Sequence, residues 1–234
     1  MTGAANVFYG SLRAYRPDWF SLVLTSYRAQ AAEPFPLVTL KPSPLDPNTL
    51  PEAASAGERL PATLGVLIGG DGSGVAFDDA DWDDLSAAIA TLARSGVRLI
   101  VSNSRRTPGA VSDRLAAIAA SGDNVALIDV RSAGAGTLGE IFRQADAILC
   151  TTDSSSMLSE AIWARRRVLA LAPRIAKLPP MERDYRGLLA ATGSCGTAAL
   201  AGLSVEAIAA ELSKLRPLAT NPLDDLAGML ATRL

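Results

Sequence analysis

Three short segments concentrate the groups that could hold an anion. The first is Gly69-Gly70-Asp71-Gly72-Ser73-Gly74, where four glycines let a ligand approach the main chain and leave amides free to point at negative charge. The second, Ser104-Arg105-Arg106-Thr107, sets two guanidinium forks and two hydroxyls before Pro108, a residue suited to a first helical turn, where forks and helical amides both favour anions. The third, Thr151-Thr152-Asp153-Ser154-Ser155-Ser156-Met157, runs into Leu158-Ser159-Glu160-Ala161. One Asp or Ser there is an ordinary helix cap worth about 1 kcal/mol, but capping does not use a whole run of hydroxyl and carboxylate groups. Ser156 and Glu160 stand four apart and share a helical face directed back at the preceding strand end, while Met157, Leu158, Ala161 and Ile162 take the buried stripe. Glu160 would then accept ribose hydroxyls while the serine hydroxyls and free amides hold a phosphate.

Each segment has a plainer explanation. The glycine run fits neither G-x-G-x-x-G opening promptly into a helix nor a Walker A loop, and it also reads as a flexible turn. The Arg pair also reads as a solvated basic turn. Glu160 could instead pair with Arg165, Arg166 and Arg167, which themselves suit a helix end through the dipole. Asp78, Asp79, Asp81, Asp83 and Asp84 resemble a metal cluster but stand at a helix start, where carboxylates are stabilised, so no metal site is expected. Trp82 and Trp163 read as packing residues.

The elements that must position these segments follow from periodicity. From residue 63 onward, short apolar runs alternate with helical patterns, the signature of βα units feeding a parallel sheet. Strands are expected at 63–68 (TLGVLI), 97–101 (VRLIV), 125–130, 147–151 (AILCT) and 168–171, and helices at 81–95, 109–120, 138–145, 155–165, 205–215 and 223–234. The result is a five-strand doubly wound α/β unit, whose ligand crevice lies beyond the carboxyl ends of the strands where strand order reverses. Residues 187–205 read as a helix end plus a strand. Residues 1–60 hold strands at 20–25 (FSLVLT) and 37–40 and a Pro-rich turn, KPSPLDP, at 41–47. They cannot bury both faces of a sheet, so they read as a partial amino-terminal α/β segment beside a Rossmann-like domain at 61–234.

Composition narrows the partners. With 22 basic and 24 acidic residues in 234 the net charge is −2, which argues against coating a nucleic acid or an acidic membrane. The absence of His removes His-ligated metals and Ser-His or Cys-His relays. Cys150 and Cys195 read as buried thiols in a reducing compartment. The start lacks the pattern of a secretory signal and no stretch suits a membrane span, so a soluble cytoplasmic protein is expected. The 19 Arg against 3 Lys fit either phosphate recognition or a coding bias.

The ordered set Leu67-Ile68-Gly69-Gly70-Asp71, Ser104-Arg105-Arg106-Thr107-Pro108, Ala145-Asp146-Ala147-Ile148, Thr152-Asp153-Ser154-Ser155-Ser156-Met157 and Ser159-Glu160-Ala161 resembles the plant "elongated mitochondria" fission-factor family and its bacterial relatives. The resemblance implies a GT-B-like architecture: two Rossmann-like domains facing a cleft, with the nucleotide-sugar site in the carboxyl-terminal one. It implies that Glu160 binds ribose, that Ser154, Ser155 and Ser156 meet the diphosphate, and that Arg105 or Arg106 offsets its charge. The function expected from it is binding of a nucleotide-sugar or nucleoside diphosphate, with metal-independent sugar transfer, no separate cofactor and no catalytic residue assigned. Two alternatives stay open. One is a non-catalytic binding or scaffold module whose amino-terminal part packs on a partner or a second copy as a homodimer. The other is a nucleotide-sugar epimerase using Asp71 with Glu160 as its acid/base pair.

Overall fold

A computed structural model describes residues 4–31, 36, 38–53, 57, 59–133 and 136–234. Along the chain come β1 (Val7–Tyr9), β2 (Leu22–Leu24), β3 (Thr63–Leu67), β4 (Val75–Ala76), α1 (Asp79–Arg94), β5 (Arg98–Ser102), α2 (Gly109–Ala120), β6 (Val125–Ile128), α3 (Val130–Ala133) and α4 (Leu138–Gln144). There follow β7 (Ala147–Thr151), α5 (Ser155–Trp163), β8 (Arg167–Ala172), β9 (Ile175–Ala176), α6 (Pro180–Ala191), β10 (Cys195–Ala199), α7 (Val205–Lys214) and α8 (Pro222–Arg233).

Six strands form one parallel sheet in the order β10-β8-β7-β3-β5-β6. The chain winds outward from β3 through β5 and β6, returns to pair β7 with the other side of β3, and winds the opposite way through β8 and β10. Strand order therefore reverses between β3 and β7, and the crevice beyond their carboxyl ends is where such sheets bind ligands. Both faces are covered, as nearly continuous apolar strands require. Leu85, Ile89 and Leu92 of α1, Leu115 of α2, and Ile208 and Leu212 of α7 pack on one face. Ile141 and Phe142 of α4, Leu158 and Ile162 of α5, and Tyr185 and Leu189 of α6 pack on the other. Gly65 in β3 lets α4 approach the sheet, since a Cβ there would lie 2.8 Å from Ile141 and 2.6 Å from Ile148.

The sheet has six strands rather than five. The sixth is the strand read within 187–205: β10, with sequence CGTAA, pairs with β8 and lies at the sheet edge among the described residues. Helix α6 is new apart from the helix end read before residue 195. In the amino-terminal part, β1 and β2 form a separate parallel pair. Of the strand expected at 37–40, Leu37 lies outside the described residues and 38–40 form no strand, although the Val38 amide donates to the Thr25 carbonyl at 2.7 Å. Leu22, Leu24 and Val38 pack against Leu226, Met229 and Leu230 of α8, while Leu40 and Leu50 join the core under α5 and α6.

The acidic run serves α1. Asp78 and Asp81 form a capping box, and Asp81, fully buried, also receives Arg174 at 2.8 Å. No group of three or more metal-ligating side chains occurs among the described residues. Trp82 and Trp163 are buried in the core, and Cys150 and Cys195 are free buried thiols. The arginine run corrects the helix-dipole reading: Arg166 is buried and donates to the carbonyls of Phe142 and Pro51, and Arg167, also buried, to that of Leu212. No helix among the described residues is long and apolar enough to cross a membrane.

Gly65→Val forces two methyl groups into the α4 contact and should lower stability by about 1–3 kcal/mol in urea denaturation, the usual range for overpacking. An unchanged midpoint would show that α4 is not held against β3 as described.

Candidate functional site

The three segments singled out from the sequence meet at the β3/β7 switch point. Asp153 follows β7 in the turn to α5 and is 1% exposed. A buried carboxylate must be paired, and two partners meet it: the Thr151 hydroxyl donates to Oδ1 at 2.6 Å, and Arg106 Nη2 lies 2.6 Å from Oδ2. The Thr151 hydroxyl in turn accepts the Gly69 amide at 2.8 Å. Arg106 Nη1 also donates to the Asp71 carbonyl at 3.0 Å and the Gly70 carbonyl at 3.3 Å, and the buried Thr107 hydroxyl donates to the Gly69 carbonyl at 2.6 Å. Within the Arg loop, Ser104 Oγ accepts the Arg106 amide at 3.1 Å.

Two glycines are required here by contact. A Cβ on Gly69 would overlap the Asp153 carboxylate, and one on Gly70 would overlap the Arg106 carbonyl. The glycine-rich turn is therefore a fitted piece. Asp71 accepts the Phe77 amide on Oδ1 at 3.0 Å. Arg105 is exposed and makes no hydrogen bond or ion pair among the described residues.

Helix α5 starts at the same place. Ser154 is its N-cap and accepts the Met157 amide, leaving the Ser155 and Ser156 amides without a protein partner among the described residues. Ser156 is exposed, whereas Ser155 and Ser159 are buried with Leu158, Ala161 and Ile162, and Met157 is only half-buried. Glu160 is half-buried and forms no ion pair with Arg165, Arg166 or Arg167. Burial alone pushes its carboxyl above the ordinary carboxylate range.

Several residues at this crevice have no role assigned from the sequence. Lys41, from the Pro-rich turn, donates to Ser155 Oγ at 2.8 Å and reaches Ser156 Oγ at 3.5 Å. Its ammonium stands 4.8 Å from the Tyr185 ring centroid. Burial lowers its pKa; Glu182 opposes that shift and Arg186 adds to it. Tyr27 donates to Glu182 Oε1 at 3.0 Å. Lys41 opens the Pro-rich KPSPLDP turn noted in the sequence, where no role is assigned to it.

The sequence matches one family profile, Mitochondrial fission ELM1, over residues 16–190. The chain belongs to the mitochondrial fission ELM1 family. No curated protein matches it. Among solved structures this ELM1-family chain is similar to a glycotransferase of kitacinnamycin (10% identity, TM-score 0.49, 92% of this chain and 52% of that one). It is similar also to MurG of Acinetobacter baumannii (14%, 0.45, 97% and 68%) and to the calicheamicin glycosyltransferase CalG4 (12%, 0.49, 92% and 49%). It spans about half the length of the first and third of these.

For this ELM1-family protein, the raised Glu160 pKa has a definite sign. Stability from the protonated form is fully present below the unfolded value near pH 4.3 and is lost as pH rises through the higher folded value. Glu160→Gln should therefore melt at a higher temperature than the parent at pH 7, with the two curves converging below about pH 4. A variant less stable than the parent at pH 7 would reveal a partner for the carboxylate.

Proposed function

We propose that the chain binds the nucleoside-diphosphate part of a sugar donor in the β3/β7 crevice, and that the whole protein transfers the sugar without a metal. The observation that carries this reading is the meeting, at a topological switch point, of a glycine-rich turn, an α5 N-terminus and a carboxylate one turn further on, the two amides and the carboxylate being without a partner among the described residues. The Ser155 and Ser156 amides and the positive end of α5 take a phosphate. Glu160 accepts from ribose hydroxyls, and Arg105 is the guanidinium of its loop still free to reach the ligand. As the bond from the anomeric carbon to the diphosphate breaks, charge gathers on the departing oxygens, where fixed amides and cations stabilise it without reorganising.

A non-catalytic module is the second reading. It is favoured by one feature: Arg106 and Asp153 neutralise each other, so the three loops stay assembled without any ligand. Calorimetric titration of the chain with UDP, GDP, ADP and CDP separates the two. One of the four should bind, and Glu160→Ala should weaken that nucleotide by roughly tenfold, the loss of a charge-assisted contact. Silence from all four would overturn the donor-binding reading and leave the scaffold reading standing.

A further inference from the structure

Helix α5 ends in a way that the crevice does not explain. The Arg165 amide donates to the Ile162 carbonyl at 2.8 Å and the Arg166 amide to that of Ala161 at 3.2 Å, a closing turn that needs a left-handed residue at position 165. Glycine is the usual occupant of such a position. Here an arginine takes it, at φ +55°, one of three non-glycine residues with positive φ among the described residues. Strain of this kind persists where a side chain is needed in one particular place.

That place is a pocket of about 290 Å³ walled by Pro47, Leu50, Pro51 and Pro217 and lined by both Arg165 and Arg166. It lies at the opposite end of α5 from the crevice, about 13 Å away along nine residues. Arg166 is 2% exposed. Its Nε and Nη2 share the Phe142 carbonyl at 3.0 and 2.7 Å, and Nη2 also donates to the Pro51 carbonyl at 2.8 Å. Among the described residues Nη1 has only the Arg165 carbonyl, at 3.5 Å, beyond the usual range for such a bond. Arg165 is half-buried and spends Nε on the Leu218 carbonyl at 3.0 Å, while its two terminal nitrogens have no partner among the described residues.

Neutral carbonyls satisfy the direction of these donors but not their charge. Desolvation lowers the Arg166 pKa, Asp146 raises it, and the like charge of Arg165 lowers it further. Glu52, the carboxylate in the pocket lining, is exposed and forms no ion pair with either arginine. Buried charge left uncompensated is costly, and an anion seated between the two groups would compensate both.

We infer that Arg165 and Arg166 form a binding site for a phosphate group, separate from the β3/β7 crevice and independent of the nucleotide reading. A tetrahedral dianion carries enough oxygens for two guanidinium forks to share, whereas a planar carboxylate is matched by one fork alone. The free ion and a phosphate monoester present this same group.

The test is thermal unfolding of the full chain in chloride, acetate, inorganic phosphate and glycerol phosphate at matched ionic strength, for the parent and Arg165→Gly. Glycine suits the left-handed position, so this variant removes the guanidinium without adding backbone strain. Phosphate should raise the parent melting temperature in a concentration-dependent way, and Arg165→Gly should need at least about tenfold more phosphate for the same rise. A larger rise with glycerol phosphate makes the monoester the better ligand, and a larger rise with the free ion makes it the ion; either result supports the site. Equal rises in parent and variant would put the phosphate elsewhere, in the crevice for instance, and overturn the inference. So would a parent that phosphate leaves unchanged, or one that acetate stabilises as strongly. Should Arg165→Gly fail to fold, Arg165→Asn, which also tolerates left-handed backbone, takes its place in the same comparison.

Discussion

Asp153 carries its charge at 1% exposure, and removing a carboxylate from water costs several kcal/mol unless partners compensate it. Most of the crevice can be understood as the supply of those partners. Arg106 reaches in from the turn after β5, and Thr151 donates from the end of β7. The Thr151 hydroxyl is steered by the Gly69 amide, and Gly69 lacks a side chain because the carboxylate occupies that space. Arg106 Nη1 donates to the Gly70 and Asp71 carbonyls. Loops from three strands are thus tied to one anionic group, which fixes their spacing without a bound ligand. The same pairing offsets part of the Arg106 charge while its side chain stays partly exposed.

The α5 N-terminus stands beside this cluster, with the Ser155 and Ser156 amides left open by Ser154 among the described residues. The wall opposite is supplied by residues remote in sequence. Residues 38–51 are pinned across the α5 side: Trp163 Nε1 donates to the Leu45 carbonyl at 2.7 Å, Arg166 to that of Pro51 at 2.8 Å, and Asn221 Nδ2 to Asp46 at 3.0 Å. These bonds hold Lys41 against α5. The Pro-rich turn therefore forms part of the crevice wall as well as linking the amino-terminal strands to the main sheet.

Much of this was legible from residue types. The apolar runs and helical stripes after residue 63 located β3, β5, β6, β7 and β8 and the helices α1, α2, α4, α5, α7 and α8, because buried parallel strands and amphipathic helices leave strong periodic signals. The strand within 187–205 is legible as a strand but not as the member that completes the sheet as β10, because an edge strand of small residues has little to bury. The glycine, Arg and Ser segments were found because their composition exceeds what turns and caps use. Their internal division of labour was not visible. Nothing in Ser104-Arg105-Arg106 says which arginine turns inward, and that depends on Asp153, some fifty residues away in sequence. Arg166 and Arg167 misled in the same way, since buried guanidinium groups donating to carbonyls look like cations placed for a helix dipole until the carbonyls are located. Lys41 stands in the Pro-rich KPSPLDP turn, and only the packing of that turn on α5 brings it to Ser155 and Ser159.

Amide hydrogen exchange in Asp153→Asn, compared with the parent, tests most directly whether one carboxylate ties the three loops together. The substitution keeps the shape and removes the charge that Arg106 answers. Protection should fall together in residues 69–74, 104–107 and 151–157, while α1, α2 and α7 on the far face keep theirs. Loss confined to residues 151–157, with the glycine-rich turn and the Arg loop unchanged, would mean that the loops hold their positions independently and that Asp153 is not what assembles them.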